Sequence, residues 1–283
     1  MHYTQIMTKK QTFEGWYYKQ QANGKTMALI PGRSRDSAFI YVITDENSFA
    51  VPFAASEYRK EGSLKIGENE FWGSGIRLKL ERSDISICGE LKYSNMVPIH
   101  GDIMGIFRFF PMECRHHIIS MRHDCSGEIV LNGEKYSFEN GTGYIEGDSG
   151  FSFPGSYSWI HSNDFTENCS ITAAVARIPF AGLHFWGCIC VVSHNGREYR
   201  LATYNGAKIL RCENGAMELK QGKYRLNIRV ERQKAHNIPA PEHGVMSRII
   251  KESPSCPAVF IFTENDRVIF SGKSQCASYE YAM

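Results

Sequence analysis

The run Gly143-Tyr144-Ile145-Glu146-Gly147-Asp148-Ser149-Gly150-Phe151-Ser152-Phe153-Pro154 sets two carboxylates and a phenol at every second position. Successive side chains of an extended strand alternate between faces. Tyr144, Glu146 and Asp148 therefore share one face, and Ile145 and Gly147 the other. If that face lines the inside of a barrel, it places an acid in an apolar cavity. Burial raises a carboxyl pKa, and a second carboxylate raises it further, so such a group can stay protonated near neutral pH and act as a general acid. Glu146 is the candidate proton donor, Tyr144 a hydrogen-bond donor beside it, and Asp148 the second carboxylate. The plainer alternative is a solvated outer face, with Asp148 capping the turn into Gly150.

Two other segments could complete such a site. The stretch from Cys114 to Cys125 contains His116, His117 and His123. Period two puts Cys114 and His116 on one face and His117 and His123 on the other, whereas zinc ligands come in tighter pairs. No metal is expected; a buried His116 facing Glu146 would hold or relay a proton. Further on, Tyr157, Trp159, His161 and Asn163 share a strand face. Taken singly, each reads as core; together they form an aromatic wall suited to an apolar ligand or a developing carbocation. Trp16, in Phe13-Glu14-Gly15-Trp16-Tyr17-Tyr18-Lys19, closes one end of a barrel and is a further candidate ligand contact.

The elements that must hold these residues are strands. Asn23-Gly24, Asn132-Gly133, Asn195-Gly196, Asn205-Gly206 and Asn214-Gly215 are dipeptides preferred by type I′ hairpin turns. Aromatic and β-branched runs between them predict strands at 16–21, 27–30, 38–44, 117–122, 156–163, 170–177, 184–193, 223–231 and 258–263, among others. One helix is expected at 243–252, after Pro239-Ala240-Pro241 and before Pro254. So many short strands predict an all-β chain of two adjoining antiparallel β-barrels, divided as 1–132 and 133–283.

Composition narrows the function. Across 283 residues, 32 Lys+Arg nearly balance 30 Asp+Glu. No basic stripe stands out, so nucleic acid is not an expected partner. No apolar run approaches the roughly 20 residues of a membrane-spanning helix, and residues 1–10 lack the apolar core of a signal peptide, which predicts a cytoplasmic protein. The nine cysteines are irregularly spaced without a CxxC pair. A Walker A loop, a GxGxxG turn and a GxSxG elbow are all missing, so no cofactor is expected.

Several of these residues resemble the tocopherol cyclase family. Residues 13–19 are similar to its opening F-(E/D)-G-W-Y-(F/Y)-K, residues 144–154 to its Y-x-E-K-N-W-G-x-x-F-P, and His116 with Met121 to its H-W-Q-V-x-M strand. More remotely, the chain is similar to carotenoid hydratases. The resemblance implies lipocalin-like barrels and proton-initiated ring closure of a prenylated hydroquinone, or hydration of an alkene. It gives Glu146 the acid's place, Tyr144 the tyrosine's and His116 the upstream histidine's. It also implies a hydrophobic small-molecule partner, for which peripheral membrane contact would be useful. Gly147-Asp148-Ser149 departs from the family's Lys-Asn-Trp. Losing that Trp would remove an aromatic wall, which favours a second reading: a non-catalytic carrier or sensor of a hydrophobic molecule.

Overall fold

The computed structural model describes residues 12–180, 182–231 and 235–282. A twelve-stranded sheet contains β1 (Phe13–Ala22), β2 (Lys25–Arg33), β3 (Ser37–Thr44), β4 (Ser48–Ala54), β5 (Tyr58–Glu61), β6 (Ser63–Ile66), β7 (Asn69–Trp72), β8 (Gly75–Glu81), β9 (Ser86–Ser94), β10 (Cys114–Leu131), β11 (Glu134–Ser137) and β12 (Gly141–Gly150). A ten-stranded sheet contains β13 (Tyr157–Ser162), β14 (Cys169–Phe180), β15 (Leu183–His194), β16 (Arg197–Ala202), β17 (Lys208–Glu213), β18 (Ala216–Gln221), β19 (Tyr224–Val230), β20 (His236–Glu242), β21 (Val245–Glu264) and β22 (Arg267–Ala282). The change of sheet falls between Gly150 and Tyr157, so β12 and its acidic face belong to the first sheet.

Turn chemistry explains the hairpins. Asn23-Gly24, Asn132-Gly133, Asn195-Gly196 and Asn214-Gly215 all have both residues at positive φ and join consecutive strands. Asn205-Gly206 instead ends a short 3-10 turn, Thr203–Asn205, with Gly206 at φ 85°. The helix expected at 243–252 is not formed. His243 and Gly244 adopt φ 51° and 81°, making a hairpin turn between β20 and β21. The two prolines that suggested a helix start lie in β20, which among the described residues pairs with β21 alone. An edge strand tolerates proline because its outward N–H has no ladder partner to lose.

The expected closed barrels are corrected too. Along the main path the first sheet runs β4-β3-β2-β1-β12-β10-β9-β8-β7-β6-β5 and the second β16-β15-β14-β13-β22-β21-β19-β18-β17. No ladder joins the end strands of either sheet among the described residues. Each sheet still curls around its own core: Val51 and Phe53 from one end of the first sheet share a cluster with Leu64 and Ile66 from the other. The second sheet gathers Ile171, Leu201, Leu219 and Phe260 likewise. A third apolar cluster lies between the sheets, joining Tyr17, Phe39 and Tyr144 of the first to Tyr157, Trp159 and Ile250 of the second. The loop between β9 and β10 crosses to the second sheet, where Arg200 donates to the His100 and Asp102 carbonyls at 2.6 and 2.8 Å. No described helix is long and apolar enough to cross a membrane.

Candidate active site

Strand β12 runs between β1 and β10, and register fixes its neighbours. Tyr17 and Ile118 flank Glu146, while Gly15 and His116 flank Asp148. Ile145 points into the core of the first sheet, whereas Tyr144 belongs to the cluster between the sheets. The acidic face thus looks out of its own sheet toward the second one, and not into a barrel. Gly15 offers no side chain over Asp148, and a Cβ placed there would meet nothing closer than 4.0 Å.

Glu146 is 5% exposed. Its Oε2 accepts the Tyr144 hydroxyl at 2.5 Å and lies 3.2 Å from His116 Nε2. Both contacts fall on one oxygen, which leaves Oε1 to the cavity. His116 Nδ1 lies 3.1 Å from Asp148 Oδ1, so the imidazole bridges the two carboxylates. Cys114 Sγ donates to the same Asp148 oxygen at 3.6 Å. Burial raises the Glu146 carboxyl above its usual range, although His116 beside it pulls the other way. Burial alone would lower His116, but Glu146 and Asp148 outweigh it and hold the imidazole well above the usual histidine value. The His116–Glu146 pair therefore keeps a proton at neutral pH. These donors also lie within 4.8 Å of one another. In the arrangement present, both ring nitrogens are engaged with carboxylates, one on each side, which suits proton storage better than joint ligation of one ion.

The facing wall holds a second acidic pair that sequence reasoning did not single out. Trp159 is directly opposite Glu280 across the β13–β22 ladder, and Glu280 is opposite Glu252 across β22–β21. These three side chains form a row on one sheet face. The Tyr157 hydroxyl donates to Glu280 Oε1. The Tyr17 hydroxyl, reaching over from the first sheet, donates to Glu252 Oε1 at 3.0 Å. Burial, with Glu146 adding to it, pushes Glu252 up to about 7. Burial and Glu252 raise Glu280 well above its usual range. Two carboxyls this close cannot both ionise readily.

This pair has a consequence for stability. A carboxyl whose folded pKa is raised binds its proton more tightly in the native state. Its favourable contribution is full below about 4.5 and is lost as pH rises through about 7. Glu252→Gln removes that loss. Its melting temperature should match wild type at pH 4 and exceed it increasingly from pH 5 to pH 8; a difference that is flat with pH would contradict the shared proton.

The walls enclose a cavity of about 190 Å³. Of the residues singled out from the sequence, Glu146, Asp148, His116, Trp159, Tyr157 and Trp16 line it. Tyr144 lies behind Glu146, fully buried, with its ring stacked on His161 at 3.6 Å. His161 and Asn163 are not among the lining residues. Asn163 bonds to the Met121 and Gly143 carbonyls and to Gln21, tying the sheets together. Glu252 and Glu280 carried no local motif, and Tyr17 stood in the 13–19 motif without a site role of its own. Their proximity depends on pairings between positions far apart in sequence.

The departures from the family motif also have physical readings. A Cβ on Gly147 would sit 2.5 Å from the Trp16 ring, so a small residue here lets Trp16 lie over the strand. Ser149 is buried opposite Glu14 and is not a lining residue. The wall expected to be missing at Ser149 is therefore not a wall of this cavity; Trp16 and Trp159 supply the indoles that line it.

Fold and site together define an all-β protein whose two facing antiparallel sheets enclose an apolar cavity with buried carboxyl groups. Residues 82–280 match the family model described as tocopherol cyclase-like, and the chain belongs to that family. No curated protein matches it. Among solved structures, it is similar to a protein of Nitrosomonas europaea provisionally called ATTH, at 12% identity and TM-score 0.60, covering 100% of this chain and 96% of that one. It is similar to kievitone hydratase from Nectria haematococca, at 10% identity and TM-score 0.60, covering 95% and 88%. It also resembles CghA, solved with Sch210972, at 7% identity and TM-score 0.63, covering 96% and 88%. These likenesses establish the fold.

Proposed function

We propose that this protein is a cofactor-independent acid catalyst that protonates an isoprenoid-type alkene, closing a ring by intramolecular addition or adding water. One observation carries this reading: Glu146 is buried at an apolar cavity, with one carboxyl oxygen held by Tyr144 and His116 and the other left to the cavity. Protonation of a trisubstituted double bond by Glu146 forms a C–H bond and leaves a tertiary cation. Trp159 and Tyr17, packed edge to face at 5.4 Å, stabilise that cation through their ring quadrupoles. His116 and Asp148 reload Glu146 from solvent. Family membership and the hydratase among its structural neighbours support the reaction class.

The test is incubation with prenylated hydroquinones and plain isoprenoid alkenes in D₂O, read by mass spectrometry. Carbon-bound deuterium in a cyclised or hydrated product is the expected result. Ligands recovered bound but unchanged would replace this reading with that of a carrier or sensor.

A membrane-soluble substrate makes peripheral membrane contact part of the proposal. Ile106 and Phe109 on one segment, and Leu183 and Trp186 on another, are exposed by 54–75%. The two segments touch through Phe107 and Phe185, whose rings stack at 6.0 Å beside the cavity lining. Wild type should co-sediment with phosphatidylcholine vesicles, and Phe109→Ser combined with Trp186→Ser should reduce the bound fraction severalfold. Wild-type protein that stays in the supernatant would refute the contact.

A further inference from the structure

In the row Trp159–Glu280–Glu252 on the second sheet, the Trp159 N–H and the two carboxyls are unused by the acid chemistry of Glu146, which draws only on the Trp159 ring face. Three observations concern this row. Trp159 is 6% exposed and lines the cavity, yet its Nε1–H has no hydrogen-bond acceptor. A buried donor left unpaired is costly, so an orphan on a side chain that lines the cavity points to an acceptor supplied by a ligand. Glu280 lines the same cavity and lies directly opposite Trp159 in the ladder. Glu252 Oε2 has no hydrogen-bond partner, and Glu280 lies directly opposite Glu252 in the ladder. A single proton between the two carboxyls satisfies that oxygen and leaves the pair able to accept another.

We infer that Trp159 and Glu280 form a site for a hydroxyl group carried by the substrate, whose oxygen accepts from Trp159 Nε1 and whose hydrogen is donated to Glu280. The inference rests on the acid-catalysis reading for its role in turnover and deepens it toward ring closure. When Glu146 has protonated the alkene, the held oxygen attacks the cation, and a C–O bond forms. The O–H bond breaks, its electron pair stays on oxygen, and the proton passes to the Glu252–Glu280 pair. The substrate has then gained one proton on carbon and lost one from oxygen, so the product is an isomer. Exchange with solvent restores both acidic pairs. A substrate hydroxyl fits better than free water, because water would bring a second O–H against a predominantly apolar lining. Glu252 does not touch the ligand; with Tyr17 and Tyr157 it positions Glu280 and holds the shared proton.

The test separates binding from turnover. The affinities of a prenylated hydroquinone and of its dimethyl ether are compared for wild type, Glu280→Gln and Trp159→Phe. Wild type should prefer the free hydroxyls by about tenfold or more, because a site built to bond a hydroxyl discriminates against a partner lacking it. The preference should fall toward unity in both variants, and Trp159→Phe keeps the test available if Glu280→Gln fails to fold. In D₂O, Glu280→Gln should still exchange deuterium into recovered alkene while forming at least about tenfold less ring-closed product. Equal wild-type affinity for both probes overturns the hydroxyl site, whatever the turnover. A strong preference without any alkene chemistry keeps the site and overturns the catalytic reading. Binding of neither probe overturns the site together with the proposed substrate class.

Discussion

Glu146→Gln is expected to lower kcat by about 10²–10⁴-fold, the range that a general acid supplies, with little change in ligand affinity or melting temperature. The amide is nearly isosteric, and its carbonyl oxygen still accepts from Tyr144, the contact that Glu146 Oε2 makes at 2.5 Å. What it lacks is a transferable proton. The neighbouring groups do not substitute well. Tyr144 is fully buried behind Glu146, and burial and Glu146 drive its pKa well above the usual tyrosine value. His116 lines the cavity, but both of its ring nitrogens are turned to the carboxylates they bridge and not to a substrate. Steady-state kinetics with a substrate that wild type converts, alongside a binding isotherm for the same molecule, give the answer. A variant that retains turnover would remove Glu146 from the acid role. A variant that also loses binding would make the carboxyl a ligand contact first.

The second large effect concerns stability. Asn163→Ala should destabilise the fold by about 2–4 kcal/mol, since each buried polar partner left unmatched costs about 1–3 kcal/mol. For a chain of this size that corresponds to roughly 3–7 °C in melting temperature. Asn163 is 1% exposed. Its amide nitrogen donates to the Gly143 carbonyl at 2.9 Å and to the Met121 carbonyl at 3.3 Å, and its oxygen accepts from Gln21 at 2.9 Å. Arg122 in turn donates to the Asn163 carbonyl at 2.9 Å. The residue sits just after β13 and clasps β1, β10 and β12 of the other sheet. Urea denaturation should show a lower midpoint, and protein that remains folded should bind ligand with unchanged affinity. A selective loss of affinity with normal stability would return Asn163 to the ligand-contact role expected from its strand face.

Local signals were legible in the sequence because they act over a few residues. Asn-Gly pairs demand positive φ, and at 23–24, 132–133, 195–196 and 214–215 they make the hairpins expected of them. Period two put Tyr144, Glu146 and Asp148 together, and Tyr157 with Trp159, since pleating alone dictates it. The one expected helix failed for a local reason as well: His243-Gly244 behaves as a turn pair, and the prolines fit an edge strand.

The sequence by itself determined an all-β chain, the family, and an acid with a phenol and a second carboxylate on one strand face. Tertiary structure decided which space that face enters. Alternation says that two faces differ but not which one meets water, a barrel core or another sheet; here Ile145 took the core and Glu146 the space between sheets. Tertiary structure also decided whether the sheets close, because closure depends on which distant edges meet. It alone brought Glu252 beside Glu280, and Trp159 beside both. Those pairings follow from ladder register between segments more than a hundred residues apart in one case and from a bulged hairpin in the other, and no short window of sequence contains either.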